Sequence, residues 1–243
     1  MYGICRYSSV CVKREPSHQS ELVTELLFND LYEVTENQDD WMKIRMEYDG
    51  YEGWISGKQH QEIPEEAFNT LVSTDKRIVN RPVEIFDCKI LTFGTTVFGE
   101  HCNSKDHNPN EMISNGLQLL DVPYRWGGRT VFGIDCSGFV QLCAKSVGIR
   151  LPRDASQQVK CGDDVYFLAE AKPGDIAFFE NEEHHIVHVG IIIEGEKILH
   201  ASGKVRIDSL DQTGIFNKEL GKHTHFLAAI KRVVKRGELR EES

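Results

Sequence analysis

No run of about 20 apolar residues occurs in this 243-residue chain, so no segment reads as a membrane-spanning helix. The start also lacks a basic cluster followed by an apolar stretch and a cleavage site. Met1 leads at once into Tyr2-Gly3-Ile4-Cys5, which reads as a strand. The expectation is a cytoplasmic protein, or an exported one if a leader has been removed. Paired Cys-x-x-Cys and His-Glu-x-x-His spacings are missing as well, which argues against zinc even though His184, His185, His188 and His200 lie close in sequence and Cys136 could join them. The tract Glu180 to His185 is polar enough to be a solvated loop, so neither metal nor cofactor is expected. The seven cysteines are odd in number and lack framework spacing, which fits reduced thiols better than a disulfide scaffold. Basic residues are in the minority, 28 against 38 acidic for a net charge of −10, so nucleic acid and acidic polymers are poor long-range partners. Low-complexity tracts and internal repeats are also missing.

The composition that remains, 40% hydrophobic, supports globular cores in a chain with room for more than one domain. Its most informative stretch is Asp135-Cys136-Ser137-Gly138. Beyond it Phe139, Val140, Leu142, Cys143 and Val147 recur at helical intervals, which places Cys136 at or just before a first helical turn. Free amides there favour a thiolate, the form in which sulfur attacks a carbonyl carbon. Burial as an ordinary core cysteine is the competing reading of Cys136 taken alone.

Two histidines strengthen the nucleophile reading. His188 opens the apolar run Val189 to Ile193, and His200 closes the run Lys197 to Leu199. A three-residue loop Ile193-Glu194-Gly195 would set Ile192 against Glu196 and His188 directly opposite His200. Opposed side chains lie about 5 Å apart at their β-carbons, so one imidazole could hold the other in the required tautomer. Thiol, base and orienting imidazole together read as a cysteine hydrolase.

The blocks Tyr124-Arg125-Trp126-Gly127-Gly128, Asp135 to Val140, Leu151 to Gln158, Lys172-Pro173-Gly174-Asp175, His188 to Ile191 and Leu199 to Ser202 resemble the NlpC-type family of papain-like cell-wall peptidases over about residues 108–233. The resemblance implies an α+β papain-like catalytic domain, with an N-terminal nucleophile helix packed on an antiparallel sheet. It implies cleavage of γ-D-glutamyl-diamino acid bonds in murein (peptidoglycan) stem peptides by Cys136, His188 and His200, with murein-derived peptides as the partners. Tyr124 is similar to a family tyrosine that assists the Cys136 amide in holding the oxyanion. Asp154 resembles a residue that receives a free substrate amine, and it also suits a helix N-cap before Ala155-Ser156-Gln157-Gln158. Some relatives carry serine where this chain has Ala155, so a hydrogen bond to the glutamate moiety would be missing or would fall to Ser137 or Ser156. A wall amidase and a wall-binding protein without activity remain the alternatives.

Short apolar pieces between turns recur over the first 62 residues and predict a small β-barrel. Ser20 to Val23, Asp40-Trp41 and Asp49 to Ile55 resemble the bacterial SH3-like domains that precede NlpC-type peptidases. Trp41 and Trp54 read as barrel core rather than as a ligand platform. In relatives that recycle peptides such a barrel closes one end of the groove and completes the amine pocket. Tyr51 and Glu15 are the candidates here. Residues 63–107 read as a degenerate second SH3-like unit or linker, with strands near Arg81 to Phe86 and Ile90 to Val97 and a polar stretch from His101 to Asn110. Residues 108–243 form the peptidase domain, opening on a helix from Met112 to Leu120 and ending in a charged, frayed tail from Lys235. Oligomeric state is not legible.

Overall fold

The computed structural model describes residues 1–86, 89–99 and 107–234. The expectations for the charged tail and for the first part of the polar stretch lie outside these residues. Seven strands form an antiparallel sheet at the N-terminus: β1 (Tyr2–Ile4), β2 (Ser9–Lys13), β3 (Leu22–Leu27), β4 (Leu31–Gln38), β5 (Trp41–Met46), β6 (Glu52–Ser56) and β7 (Glu62–Ile63), in the order β3-β2-β6-β5-β4-β1-β7. Their alternating apolar residues, among them Val10, Val12, Leu26, Tyr32, Ile44 and Ile55, share one buried cluster. Trp54 is buried, but Trp41 is only half-buried, with its ring edge against His18. Trp41 begins β5 and so stands at the rim rather than in the core.

A helix, α1 (Glu65–Ser73), follows that the sequence analysis did not mark; none of its residues is fully buried, but Ala67, Phe68, Leu71 and Val72 form a half-buried stripe, with Phe68 4.4 Å from the Tyr2 ring. Two ribbons come next, β8 (Lys76–Ile78) with β11 (Thr96–Phe98) and β9 (Val83–Phe86) with β10 (Lys89–Thr92). Helix α2 runs Pro109–Leu117, three residues earlier than the apolar pattern indicated. The Asn108 side chain accepts from the amides of Asn110 and Glu111, and Pro109 occupies the first turn, so residues that look like linker are a helix start.

The short ribbon β12 (Arg129–Thr130) with β13 (Gly133–Ile134) leads into α3 (Cys136–Ser146) and α4 (Ala155–Gln158). Strand β14 (Asp163–Asp164) then precedes six longer strands: β15 (Ile176–Glu180), β16 (Ile186–Ile193), β17 (Lys197–Ser202), β18 (Lys204–Leu210), β19 (Gly214–Asn217) and β20 (Lys222–Arg232). Each pairs antiparallel with the next, and β20 also pairs with β15, so the sheet closes on itself. Closure divides its side chains into two sets. Phe178, Val189, Ile191 and Leu199 share a cluster with Phe139, Val140 and Leu142 of α3. Phe179, Ile192, Ile198, Leu210 and Ile215 fill the other side.

Charged residues tie the N-terminal sheet to this unit. Buried Glu25 on β3 accepts from the Arg129 amide at 2.8 Å and pairs with Arg125, while Asp30 lies 3.4 Å from Arg129 and 3.6 Å from Lys145. Gly127, at φ 73°, lets the chain pass close to β3, since a β-carbon there would stand 2.3 Å from the Leu22 carbonyl oxygen. Among the described residues no helix is long and apolar enough to cross a membrane.

Candidate active site

Cys136 begins α3, and Asp135 caps that helix by accepting from the Gly138 amide at 2.7 Å. Asp135 is itself gripped by buried Arg153, whose Nη1 and Nη2 donate to its two oxygens at 3.0 and 2.6 Å. Arg153 also donates to Ser137 Oγ at 2.9 Å and, through Nε, to Thr24 Oγ1 of the N-terminal sheet at 2.9 Å. One guanidinium therefore fixes the cap, the residue beside Cys136 and the neighbouring unit.

A helix start alone would lower the thiol, but here the balance falls the other way. Burial, followed by the Asp135 carboxylate, pushes the Cys136 thiol up to about 12, against the lowering influence of Arg153 and the amides of Val189 and Ser137. Burial and the capping carboxylate outweigh Arg153 and these amides, so the resting group is a protonated thiol that needs a base. The ladder between β16 and β17 ends at Gly190 and His200, which leaves the Val189 amide at the ladder's end to face the sulfur. The residue before Val189 is His188.

His188 and His200 do meet, though not as direct opposites. The hairpin pairs Ile193 with Lys197, so its loop is Glu194-Gly195-Glu196 and His200 stands opposite Gly190. Gly195 and Glu196 both take left-handed backbone, φ 75° and 54°, which keeps Glu196 in the loop and moves the register by two residues from the sequence expectation. Side-chain parity survives the shift, since two is the strand period. His188 reaches diagonally across Gly190, and its Nε2 lies 2.8 Å from His200 Nδ1. A β-carbon at residue 190 would stand 2.8 Å from that of His200, so the glycine clears the path.

Both rings are buried, at 5% and 1% exposure, and share the side of the closed sheet that holds Ile192 and Ile198. Three further groups join them. His225 on β20 stacks on His188 with centroids 4.1 Å apart, Phe179 lies 5.8 Å from His188, and Asp208 Oδ2 on β18 lies 3.1 Å from His200 Nε2. Burial, then the neighbouring His225 and His200, hold His188 well below the ordinary imidazole value of 6.5. Burial lowers His200 against the pull of Asp208, and it takes His225 down to about 4.

These three rings make fold stability depend on pH. The unfolded chain binds protons on them near 6.5 while the folded chain does not, so stability is complete above that value and is lost as pH falls below it. The melting temperature is expected to fall between pH 7.5 and pH 5, before ordinary carboxylates titrate at about 4. A melting temperature constant over that interval would contradict the buried, neutral assignment.

In front of the sulfur lies a cavity of about 400 Å³, lined by Cys136, Ser137, Tyr124, Asp154, Tyr51 and Trp126 among others. Burial and the nearby Cys136 and Asp135 raise the Tyr124 phenol, so its hydroxyl shares the surroundings of Cys136. Asp154 stands at the N-cap of α4, yet its side chain makes no cap hydrogen bond. It stands beside the Tyr51 phenol on the cavity wall, and burial, then that carboxylate, push the phenol up to about 12. Burial raises the Asp154 carboxyl as well. Glu15 is not on the cavity wall. After Lys13 the chain turns outward, leaving Glu15 exposed with its amide donating to Ser20 Oγ. Glu21 is the barrel carboxylate at the wall, accepting from Arg14 Nε and Trp126 Nε1, each at 2.6 Å.

A cysteine at a helix start, a buried imidazole pair and a cavity before the sulfur have the composition of a cysteine peptidase site, and the comparisons with known proteins agree. The model of the NlpC/P60 family matches residues 121–224, and that of the bacterial dipeptidyl-peptidase Sh3 domain matches residues 12–59. The γ-D-glutamyl-L-lysine dipeptidyl-peptidase of Bacillus subtilis (strain 168) is 31% identical over 234 residues, covering 81% of this chain and 78% of that one. The Bacillus cereus (strain ATCC 10987) protein of the same name is 24% identical, over 84% of this chain and 75% of that one. The crystal structure of an NlpC/P60 family protein from Bacillus cereus shares the fold, with a TM-score of 0.77 at 18% identity over 97% of this chain and 100% of that one. The chain is thus a cysteine peptidase with a bacterial SH3 domain. It belongs to the NlpC/P60 family.

Proposed function

We propose that this peptidase hydrolyses the γ-D-glutamyl-diamino acid bond of free L-Ala-γ-D-Glu-diamino acid peptides, in the cytoplasmic recycling of murein. The observation that carries the reading is the Asp154–Tyr51 pair on the cavity wall. Asp154 is half-buried, spared from capping its own helix, and set beside Tyr51 of the barrel. An arriving ammonium would supply the countercharge that burial denies this carboxylate. The distance from that wall to Cys136 then sets how many residues precede the cut bond.

The roles follow from position. His188 takes the Cys136 proton as sulfur attacks the glutamyl carbonyl, then returns it to the leaving amine, and water releases the thioester. His200 orients His188. The Tyr124 hydroxyl and the Cys136 amide face the oxyanion, and Ser137 faces the glutamate moiety. The working division is an SH3-like domain at 1–62, a connecting unit at 63–107 and a papain-like peptidase domain at 108–243, with the nucleophile helix laid on the antiparallel sheet.

Acetylating the substrate's free amine tests the pocket, because it removes the charge and adds bulk. The expected loss in kcat/KM corresponds to about 2–5 kcal/mol. Equal kcat/KM for free and acetylated peptides would remove Asp154 from substrate recognition.

A further inference from the structure

The buried chain of polar groups does not end at His200. On β18 Asp208 stands diagonal to His200, because His200 pairs with Arg206 and Ile198 with Asp208. Arg206 holds this carboxylate by both oxygens, with Nη2 donating to Oδ1 at 3.1 Å and Nε 2.8 Å from Oδ2, and is itself paired with Glu219 at 3.2 Å. Around the pair, His188 faces His200, His225 and Phe179, and His200 faces His188, His225 and Asp208, with the Arg206 charge near enough to act on its ring.

We infer that Asp208 is a positioning residue that sets the tautomers of both histidines and thereby leaves a lone pair on His188 Nδ1 for the Cys136 proton. The inference rests on the cysteine-peptidase reading of the site. Its logic is a count of donors and acceptors. An ionised carboxylate only accepts, so the proton on His200 sits at Nε2 and points to Asp208. His200 Nδ1 is then an acceptor, and the 2.8 Å contact requires His188 Nε2 to donate. A neutral imidazole carries one N–H, so His188 Nδ1 is bare. When sulfur attacks, the S–H bond breaks, an N–H bond forms at His188 Nδ1, and the positive charge is shared along the rings toward Asp208. Burial opposes the Asp208 charge, but the hydrogen bonds from His200 and Arg206 outweigh it and keep the carboxyl below its usual range. An amide in its place would keep its oxygen on Arg206 Nη2, which can only donate, and so present its N–H₂ to His200. Every proton in the chain then reverses and His188 Nδ1 becomes the donor.

The test has a substrate-free arm. Nitrogen-15 spectra of the wild-type histidine rings at neutral pH are expected to show His188 and His200 protonated at Nε2 and bare at Nδ1; a proton on His200 Nδ1 would overturn the inference. In the second arm Asp208→Asn should lower kcat roughly 10²-fold or more with KM nearly unchanged, since the wrong tautomer behind a catalytic imidazole costs about 10⁴-fold elsewhere. Alkylation of Cys136 by iodoacetamide should slow in parallel, and Asp208→Glu should recover most of both rates. Wild-type kcat and alkylation rate in folded Asp208→Asn would also overturn it. If the wild-type protein left γ-D-glutamyl peptides uncut, the proposed substrate would fail, while the ring spectra and alkylation rates would still decide the role of Asp208.

Discussion

Replacing Cys136 or His188 by alanine is expected to remove about 10⁴-fold or more of turnover, with His200→Ala losing distinctly less. In the proposed mechanism the first two supply the nucleophile and the base that takes its proton. The thiol starts out protonated, pushed up to about 12 by burial, so without the base almost no thiolate exists at neutral pH. His200 acts through His188. Its removal leaves a cavity and a free Nε2 that water can still satisfy, so a fraction of correctly oriented rings survives. The losses should also fail to add: the Cys136→Ala/His188→Ala double variant should be no worse than either single one, because the pair acts as a unit. Near-normal kcat in Cys136→Ala would end the cysteine-peptidase mechanism, and equal losses in His188→Ala and His200→Ala would end the division of roles between the rings.

Arg153→Met should be the most destabilising single change near the site. The guanidinium is fully buried and its charge is matched by Asp135 at 2.6 Å, so its loss strands a carboxylate beside the nucleophile. Breaking such a pair costs about 3–5 kcal/mol. At roughly 2–4 °C per kcal/mol for a chain of this size, the melting temperature should drop by about 6–20 °C. The damage reaches function by a short path. Asp135 caps α3 and accepts the Gly127 amide at 2.9 Å, so a shifted Asp135 moves both Cys136 and the Trp126 wall. The Arg153→Met/Asp135→Asn double variant removes the stranded charge and should regain part of the lost stability. A melting temperature within 2 °C of wild type, a limit set well inside the about 6–20 °C drop expected, would show that the pair contributes little.

The sequence spoke clearly where local chemistry decides structure. Asp135 before a 3.6-residue apolar pattern marked the start of α3 at Cys136, and short apolar pieces marked strands of the N-terminal sheet and β16 and β17, while β15, β18, β19 and β20 went unread. The His188–His200 contact was also legible despite the wrong register, because a two-residue slip leaves the same faces exposed. What failed were features set by context. Glu196 adopts left-handed backbone that glutamate rarely takes, so the loop was drawn one residue too early. Helix α1 carries only a short half-buried stripe, Ala67, Phe68, Leu71 and Val72, and was not read from the sequence. The barrel carboxylate at the cavity was assigned to Glu15, yet Glu21 is the one that Trp126, over 100 positions away in sequence, holds in place. Closure of the sheet was invisible too, since it depends on β20 returning to β15. That closure brings His225 onto His188. Asp208 did leave a trace: Ser202-Gly203-Lys204 is a tight turn, and counting back from it sets Arg206 against His200 and Asp208 on the same face.

Mass spectrometry of the products from synthetic L-Ala-γ-D-Glu-L-Lys tests the account most directly, run beside the Cys136→Ala variant as a blank. The account predicts L-Ala-D-Glu and free lysine from the wild-type enzyme and intact tripeptide from the variant. Release of alanine alone, or the same products from both proteins, would contradict it.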